Sequence, residues 1–197
     1  MKMQRLEKLL VNSQWSRKRV LGLAKKLLDY VKTGDETEFL EIGCGNGEVA
    51  KYIARNYKGR VVGIDIDPEQ IKIARDADED IPHLKYLEAD STELPFDDDS
   101  FDVILSFGVL HHIPNWDDAL EEIKRVLRKG GYFVYADIVY PETITKMDAS
   151  SDLSFGITTV DIDEVDAFLQ DSGFDTIHSS LEKSFVLKNY EAVYRKG

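Results

Sequence analysis

The sequence is short of cysteine, of bases and of long apolar runs, and each shortage narrows what the chain can be. Its 197 residues include one cysteine, Cys44, so neither an internal disulfide nor a cysteine-based zinc cluster can form. No apolar run approaches the roughly 18–20 residues of a membrane-spanning helix. The charged, amphipathic opening residues lead into no signal-peptide core or small-residue cleavage site. These shortages predict a cytoplasmic protein without a membrane span or a bound metal. Lys and Arg number 25 against 37 Asp and Glu, and a net charge of −12 argues against wholesale binding to nucleic acid.

What bases there are lie unevenly. Residues 1–28 hold eight of them (Lys2, Arg5, Lys8, Arg17, Lys18, Arg19, Lys25, Lys26) against the single acid Glu7. A solvated helix packing electrostatically on its own acidic domain explains this. A basic rim that recruits an anionic substrate or surface is the alternative. Hydrophobic residues make up 43% and charged residues 31%, enough for a sizeable core beneath a well-solvated surface. No repeat, low-complexity tract or Pro/Gly/Ser linker divides the chain, and its length suits one domain. The expected layout is a single domain over 1–197. It has a helical cap over 1–32, a binding core over 38–140, and a lid segment, helix and final strands over 141–197.

Strand and helix patterns alternate through that layout. Val20, Ala24, Leu27 and Val31 fall at helical spacing ahead of a short buried strand, Phe39 to Ile42. A helix over 48–57 and a Val/Ile-rich strand over 60–66 follow, and Asp67-Pro68 then starts a helix as N-cap and first-turn proline. Strands are predicted over 83–88 and 101–107. Trp116, Leu120, Ile123 and Leu127 place one apolar face on the next helix, which Gly130-Gly131 should stop before a strand over 132–139. A helix over 161–172 and strands over about 174–180 and 184–194 complete the chain. Repeated βα units imply an α/β, Rossmann-like three-layer sandwich with a mostly parallel seven-stranded sheet. The short link between the two final strands makes them antiparallel to each other, so the last strand runs against the sheet.

In such a sheet, ligands bind outside the carboxyl ends of the strands, where the strand order reverses. The loop after the first strand is Gly43-Cys44-Gly45-Asn46-Gly47, whose glycines permit a sharp turn and close approach of a ligand at a helix N-terminus. The dinucleotide spacing G-x-G-x-x-G is not met, because position 48 is Glu. Asp65 ends the second strand, where an acid accepts hydrogen bonds from both hydroxyls of a ribose. Asp90 follows the third strand, where an acid can read an adenine amino group. Each acid alone is equally well a helix cap or a loop carboxylate; three such features at three consecutive strand ends are much less readily accidental.

From about residue 38 to 140 the chain resembles the class I S-adenosylmethionine-dependent methyltransferases, particularly their type 11 small-molecule group. The residues that carry the likeness are Glu41-Ile42-Gly43-Cys44-Gly45-Asn46-Gly47, Val62-Gly63-Ile64-Asp65-Ile66, Ala89-Asp90-Ser91, Ser106-Phe107-Gly108-Val109-Leu110-His111-His112-Ile113 and Arg128-Lys129-Gly130-Gly131. The resemblance implies S-adenosyl-L-methionine as cofactor, leaving as S-adenosyl-L-homocysteine. Gly43, Cys44, Gly45 and Gly47 would form the loop around its methionine portion, with Glu41 near the ammonium. Asp65 would hold the ribose, Ile66 the adenine face, and Asp90 and Ser91 the adenine edge. The backbone at Ser106 and Phe107 would pass the methionine end.

Methyl transfer from a sulfonium requires alignment above all, and a general base only if the acceptor must lose a proton early. His111 and His112 are the candidates for that base; otherwise one packs the turn and the other faces solvent. Asp137 and Tyr140 are weaker candidates, and His178 is expected to lie away from the site. Trp15, Tyr30, Met147 and Phe155 either line an acceptor pocket or simply hold their segments down. The expected partner is a small-molecule acceptor with an oxygen, nitrogen or carbon nucleophile, acted on by a monomer or homodimer. The alternatives are a binding module that has lost catalysis, an RNA or protein methyltransferase, and an NAD-dependent oxidoreductase.

Overall fold

The computed structural model describes residues 13–77, 81–140, 160–183 and 187–197. The first helix, α1 (Gln14–Leu28), begins where the Ser13 side chain accepts a hydrogen bond from the Ser16 N–H at 3.2 Å. Alternation then sets in, with β1 (Phe39–Ile42), α2 (Glu48–Asn56), β2 (Val61–Asp65), α3 (Pro68–Asp76), β3 (Leu84–Glu88) and β4 (Phe101–Phe107). A short 3-10 turn, Leu110–His112, leads into α4 (Trp116–Val126) and β5 (Leu127–Val139). The chain ends with α5 (Ile162–Asp171), β6 (Phe174–Lys183) and β7 (Lys188–Lys196). Asp67 caps α3 by accepting from the Glu69 N–H at 3.0 Å with Pro68 at the first position, as its sequence predicts.

The strands form one seven-stranded sheet in the order β3-β2-β1-β4-β5-β7-β6. Pairing is parallel from β3 to β5, and β7 runs antiparallel to both β5 and β6. Every residue of β1 and β2 is buried, the mark of a parallel sheet covered on both faces. On one face α1, α2 and α3 pack Leu27, Ile53 and Ile71 against Phe39, Val103, Leu105 and Val134. On the other, α4 and α5 pack Ile123, Leu120 and Leu169 against Leu40, Ile104, Phe133 and Tyr135. Strand order reverses between β1 and β4, so the loops after those strands diverge and open a crevice at the carboxyl ends.

Two details differ from the sequence reading. Helix α4 ends at Val126 rather than at Gly130-Gly131, and β5 begins at Leu127. Leu127 pairs with Phe101 and Tyr132 with Val103, so residues 128–131 form an irregularity inside the strand, with Gly130 at φ 76. The glycines there serve a strand kink, which periodicity cannot tell from a helix stop. The acidic domain does draw in the basic helix: Lys26 pairs with Glu191 on β7, and Arg19 donates to the Asn189 side chain at 2.6 Å. Among the described residues no helix is long and apolar enough to cross a membrane.

Polar ties position the loops at the sheet ends. Arg125 on α4 donates to the carbonyls of Phe96 at 2.8 Å and Leu94 at 3.0 Å, while Glu122 accepts from the Leu94 N–H at 2.7 Å. The segment after β3 is thereby fastened to α4. At the opposite end of the sheet, Gly59 precedes β2 so closely that an added Cβ would run into the Thr37 carbonyl. Replacing Gly59 by Ala forces that backbone apart, and urea unfolding should show a loss of about 1–3 kcal/mol.

Candidate active site

The loop between β1 and α2 turns through three left-handed glycines, Gly43 at φ 65, Gly45 at φ 50 and Gly47 at φ 76. An L side chain resists that conformation, and space excludes it as well. A Cβ on Gly43 would strike the Val109 side chain, and one on Gly47 would strike the Tyr86 hydroxyl. The segment after β4 therefore lies directly against the glycine loop. Gly47 is also the N-cap of α2 and has no side chain to cap it. Glu41 supplies the missing acceptor from β1, its Oε2 taking the Ala50 N–H at 2.8 Å.

That arrangement buries Glu41, which is 4% exposed. Burial pushes its carboxyl up to about 8; the Ala50 hydrogen bond opposes this and the nearby Asp65 charge adds to it. Asp65 ends β2 and bridges two backbone segments. Its Oδ2 accepts from the Gly45 N–H and its Oδ1 from the Asp67 N–H, each at 2.9 Å. Ile66, the next residue, turns outward and is 39% exposed, an apolar surface beside the acid. Cys44 is buried, and burial raises its thiol well above the usual range, so it is an inert member of the loop.

Asp90 and Ser91 follow β3, the neighbour of β2, where the Ala89 N–H donates to the Asp65 carbonyl at 3.1 Å. Asp90 is exposed and closes a turn, accepting from the N–H and the hydroxyl of Thr92 at 2.9 and 2.8 Å. Ser91 is buried. Ser106 pairs with Ile42 in the sheet; it is fully buried, and its hydroxyl oxygen has no hydrogen-bond partner among the described residues. Phe107 follows it, half-buried. The residues singled out on β1, β2, β3 and β4 thus converge on one end of the sheet.

His111 joins them from the 3-10 turn. It is 5% exposed, and its Nδ1 meets Oδ1 of Asp137 on β5. The same carboxylate accepts from the Ile138 N–H at 2.7 Å, from the His111 N–H at 3.3 Å and from the Tyr135 hydroxyl at 3.3 Å. A carboxylate so held places the imidazole proton on Nδ1, which makes Nε2 the basic nitrogen. His112 is half-buried with its ring 4.0 Å from that of His111, and the Tyr140 ring lies 5.3 Å from His111. Sequence reasoning held Asp137 as a weak candidate and missed Tyr135. Their spacing of two on a strand, which puts both on one face, was the available signal.

Other expectations fall elsewhere. His178 sits on β6, stacked on Tyr30 at 4.3 Å and facing Glu191, away from the crevice. Trp15 is 74% exposed. Met147, Phe155 and the lid segment between Tyr140 and Val160 lie outside the described residues.

Comparison with known proteins agrees with the resemblance that the motifs carry. The sequence profile of a family described as a methyltransferase domain matches residues 40–135. That stretch, just under half of the chain, is similar to the class I S-adenosylmethionine-dependent methyltransferases. Phthiotriol/phenolphthiotriol dimycocerosates methyltransferase 2 of Mycobacterium ulcerans (strain Agy99) is 42% identical over 100 residues, 50% of this chain and 38% of that one. Fatty-acid O-methyltransferase of Mycolicibacterium smegmatis is 39% identical over 99 residues, 50% of this chain and 36% of that one. The match therefore spans well under half of these curated relatives. Among solved structures, geranyl diphosphate C-methyltransferase from Streptomyces coelicolor A3(2), crystallised with Mg2+, geranyl diphosphate and S-adenosyl-L-homocysteine, superimposes with a TM-score of 0.77. It covers 94% of this chain and 84% of its own at 14% identity, a likeness of fold.

The raised Glu41 carboxyl gives the domain a signature in stability. Between pH 4.5 and about 8 the folded state holds a proton on Glu41 that the unfolded chain has released, so stability falls as pH rises through that window and levels above it. Replacing Glu41 by Gln keeps an acceptor for the Ala50 N–H and should flatten the profile. Chemical denaturation of both proteins from pH 5 to 9 checks this; parallel profiles would show that Glu41 is not the titrating group.

Proposed function

We propose that this protein transfers a methyl group from S-adenosyl-L-methionine to a small molecule bearing an oxygen, nitrogen or carbon nucleophile. One observation carries the reading. The side-chain-free cradle of Gly43, Gly45 and Gly47 is fixed against the buried Asp65 carboxylate at the point where strand order reverses. Those residues suit the cofactor: the left-handed loop leaves room for its methionine portion, Asp65 suits ribose hydroxyls, and exposed Ile66 suits the adenine face. Asp90 and Ser91 would border the adenine edge, Ser106 and Phe107 the methionine end. Glu41 would answer the ammonium from beneath, giving up its proton as the positive charge arrives. The relatives named for phthiotriol dimycocerosates and fatty acids, together with the geranyl diphosphate enzyme, support a small or lipid-like acceptor.

When bound, the cofactor would supply a methyl group activated by its sulfonium for in-line displacement by the nucleophile, with the thioether as leaving group. This chain's part is alignment and, where the acceptor must be deprotonated, proton removal. His111 Nε2 takes that proton, Asp137 stabilises the resulting imidazolium through Nδ1, and Tyr135 and the Ile138 amide hold Asp137 in place. The basic stretch of α1 is satisfied in part by the domain itself, which favours a small acceptor over nucleic acid.

Calorimetric titration tests the cofactor first. S-adenosylhomocysteine should bind one-to-one at micromolar affinity and NADH should not; binding of neither by the folded protein would remove the methyltransferase reading. An Asp65→Ala variant should lose about 1–3 kcal/mol of that affinity, because ribose hydroxyls would be left unpaired. A His111→Gln variant should bind S-adenosylhomocysteine as the wild type does yet turn over an acceptor that ionises about 10²–10⁴-fold more slowly. Equal turnover would exclude the base.

A further inference from the structure

The amino-terminal tip of α1 stands at a defined place on the molecule. Asn189 lies at the start of β7 and pairs with Ile138 at the carboxyl end of β5. Arg19 reaches Asn189, whereas Lys26 reaches Glu191, two residues deeper into the sheet. Helix α1 therefore directs its first residues toward the carboxyl ends of the strands, the end that holds the cofactor crevice. Trp15 sits one turn further out than Arg19.

That tip is built against the usual preferences of a helix on its own domain. Trp15 is 74% exposed, the highest value among the large hydrophobic side chains of the described residues, whereas tryptophan is on average well buried. The next residues include Arg17-Lys18-Arg19. Arg17 and Lys18 are exposed and have no hydrogen-bond or ion-pair partner among the described residues, and Arg19 meets the neutral side-chain oxygen of Asn189. The first turn of α1 holds no acid, although the helix dipole favours acids there and disfavours bases close by. Neither packing nor helix electrostatics accounts for an indole and three bases at this end.

Charge and shape select the partner. Glu191 is paired with Lys26 and Asp137 with His111, while Glu182 of β6 is exposed and sets one charge against three. In sequence, Lys2, Arg5 and Lys8 add further bases against Glu7. The whole chain carries −12, but salt screens that charge beyond about 10 Å at 0.1 M, so a basic tip engages an anionic surface that the acidic body does not touch. A nucleic-acid strand calls for a track of bases with several aromatic faces to stack on, and this tip offers a single indole. An anionic bilayer needs only a few bases among its headgroups and an amphipathic ring at the interface.

We propose that the tip of α1 docks the protein on an anionic lipid surface, with the Trp15 indole at the level of the headgroups and Arg17 and Lys18 against lipid phosphates. Docking in this way turns the carboxyl end of the sheet, and the crevice in it, toward the lipid. The test is co-sedimentation of the full chain with vesicles of phosphatidylcholine alone and with vesicles holding about 30 mol% phosphatidylglycerol. The chain should bind the anionic vesicles, bind them more weakly in about 0.5 M NaCl, and leave the neutral ones in suspension. Trp15→Ser should weaken binding about fivefold and Lys18→Glu about tenfold, while both variants melt and bind S-adenosylhomocysteine as the wild type does. Lys32→Glu makes the same change of charge at an exposed residue beyond the other end of α1, and should alter vesicle binding less than about twofold. Equal binding of the two vesicle types, wild-type binding by the Trp15 or Lys18 variant, or equal loss in the Lys18 and Lys32 variants would overturn the proposal. So would binding of single-stranded RNA that is tighter than vesicle binding and is lost in the same variants. Docking does not rest on the methyltransferase reading: failure of the wild type to bind S-adenosylhomocysteine would defeat that reading and leave the vesicle comparison to decide the surface.

Discussion

A parallel sheet covered on both faces spends its backbone hydrogen bonds on its neighbours and its side chains on its two cores, so chemistry is confined to the strand ends. In this protein the constraint is tightened by the reversal of strand order between β1 and β4. The loops that follow those two strands part company there, beside the glycine loop and the end of β4. Closeness of backbone to backbone then governs composition. Gly43 is glycine because the Val109 segment presses on it, and Gly47 because Tyr86 does.

Among the buried carboxylates at the same end of the sheet are Glu41, Asp65 and Asp137. None has a lysine or arginine among its hydrogen-bond partners given above; backbone N–H groups of Ala50, Gly45, Asp67 and Ile138 take that place. Such bonds fix each carboxyl group in place, and burial raises Glu41 to about 8, so that it holds its proton at neutral pH. Asp137 differs from the other two in that it also meets an imidazole, the Nδ1 of His111.

The basic helix α1 is tied to the acidic domain by particular contacts rather than by bulk charge. Lys26 pairs with Glu191 and Arg19 donates to Asn189, both on β7. The helix thereby becomes one wall of a cleft at the carboxyl ends of β4 and β5.

Much of the architecture was legible beforehand, because its signals are local. The βα alternation, the Asp67-Pro68 helix start, the left-handed glycine loop and the acid at the end of β2 are each written within a few consecutive residues, and local sterics enforce them. Where local signals are ambiguous the reading slipped, as at Gly130-Gly131, since glycine ends a helix and kinks a strand by the same conformational freedom. Tertiary structure alone decided the rest. His111 meets Asp137 across 26 residues, and α1 meets β7 across 165 to 170. Contacts at such separations arise from strand order and face, which no window of sequence contains. The glycine loop was thus determined by the sequence itself, whereas the His111–Asp137 pair beside it and the seating of α1 on β7 came into being only when the sheet closed under its helices.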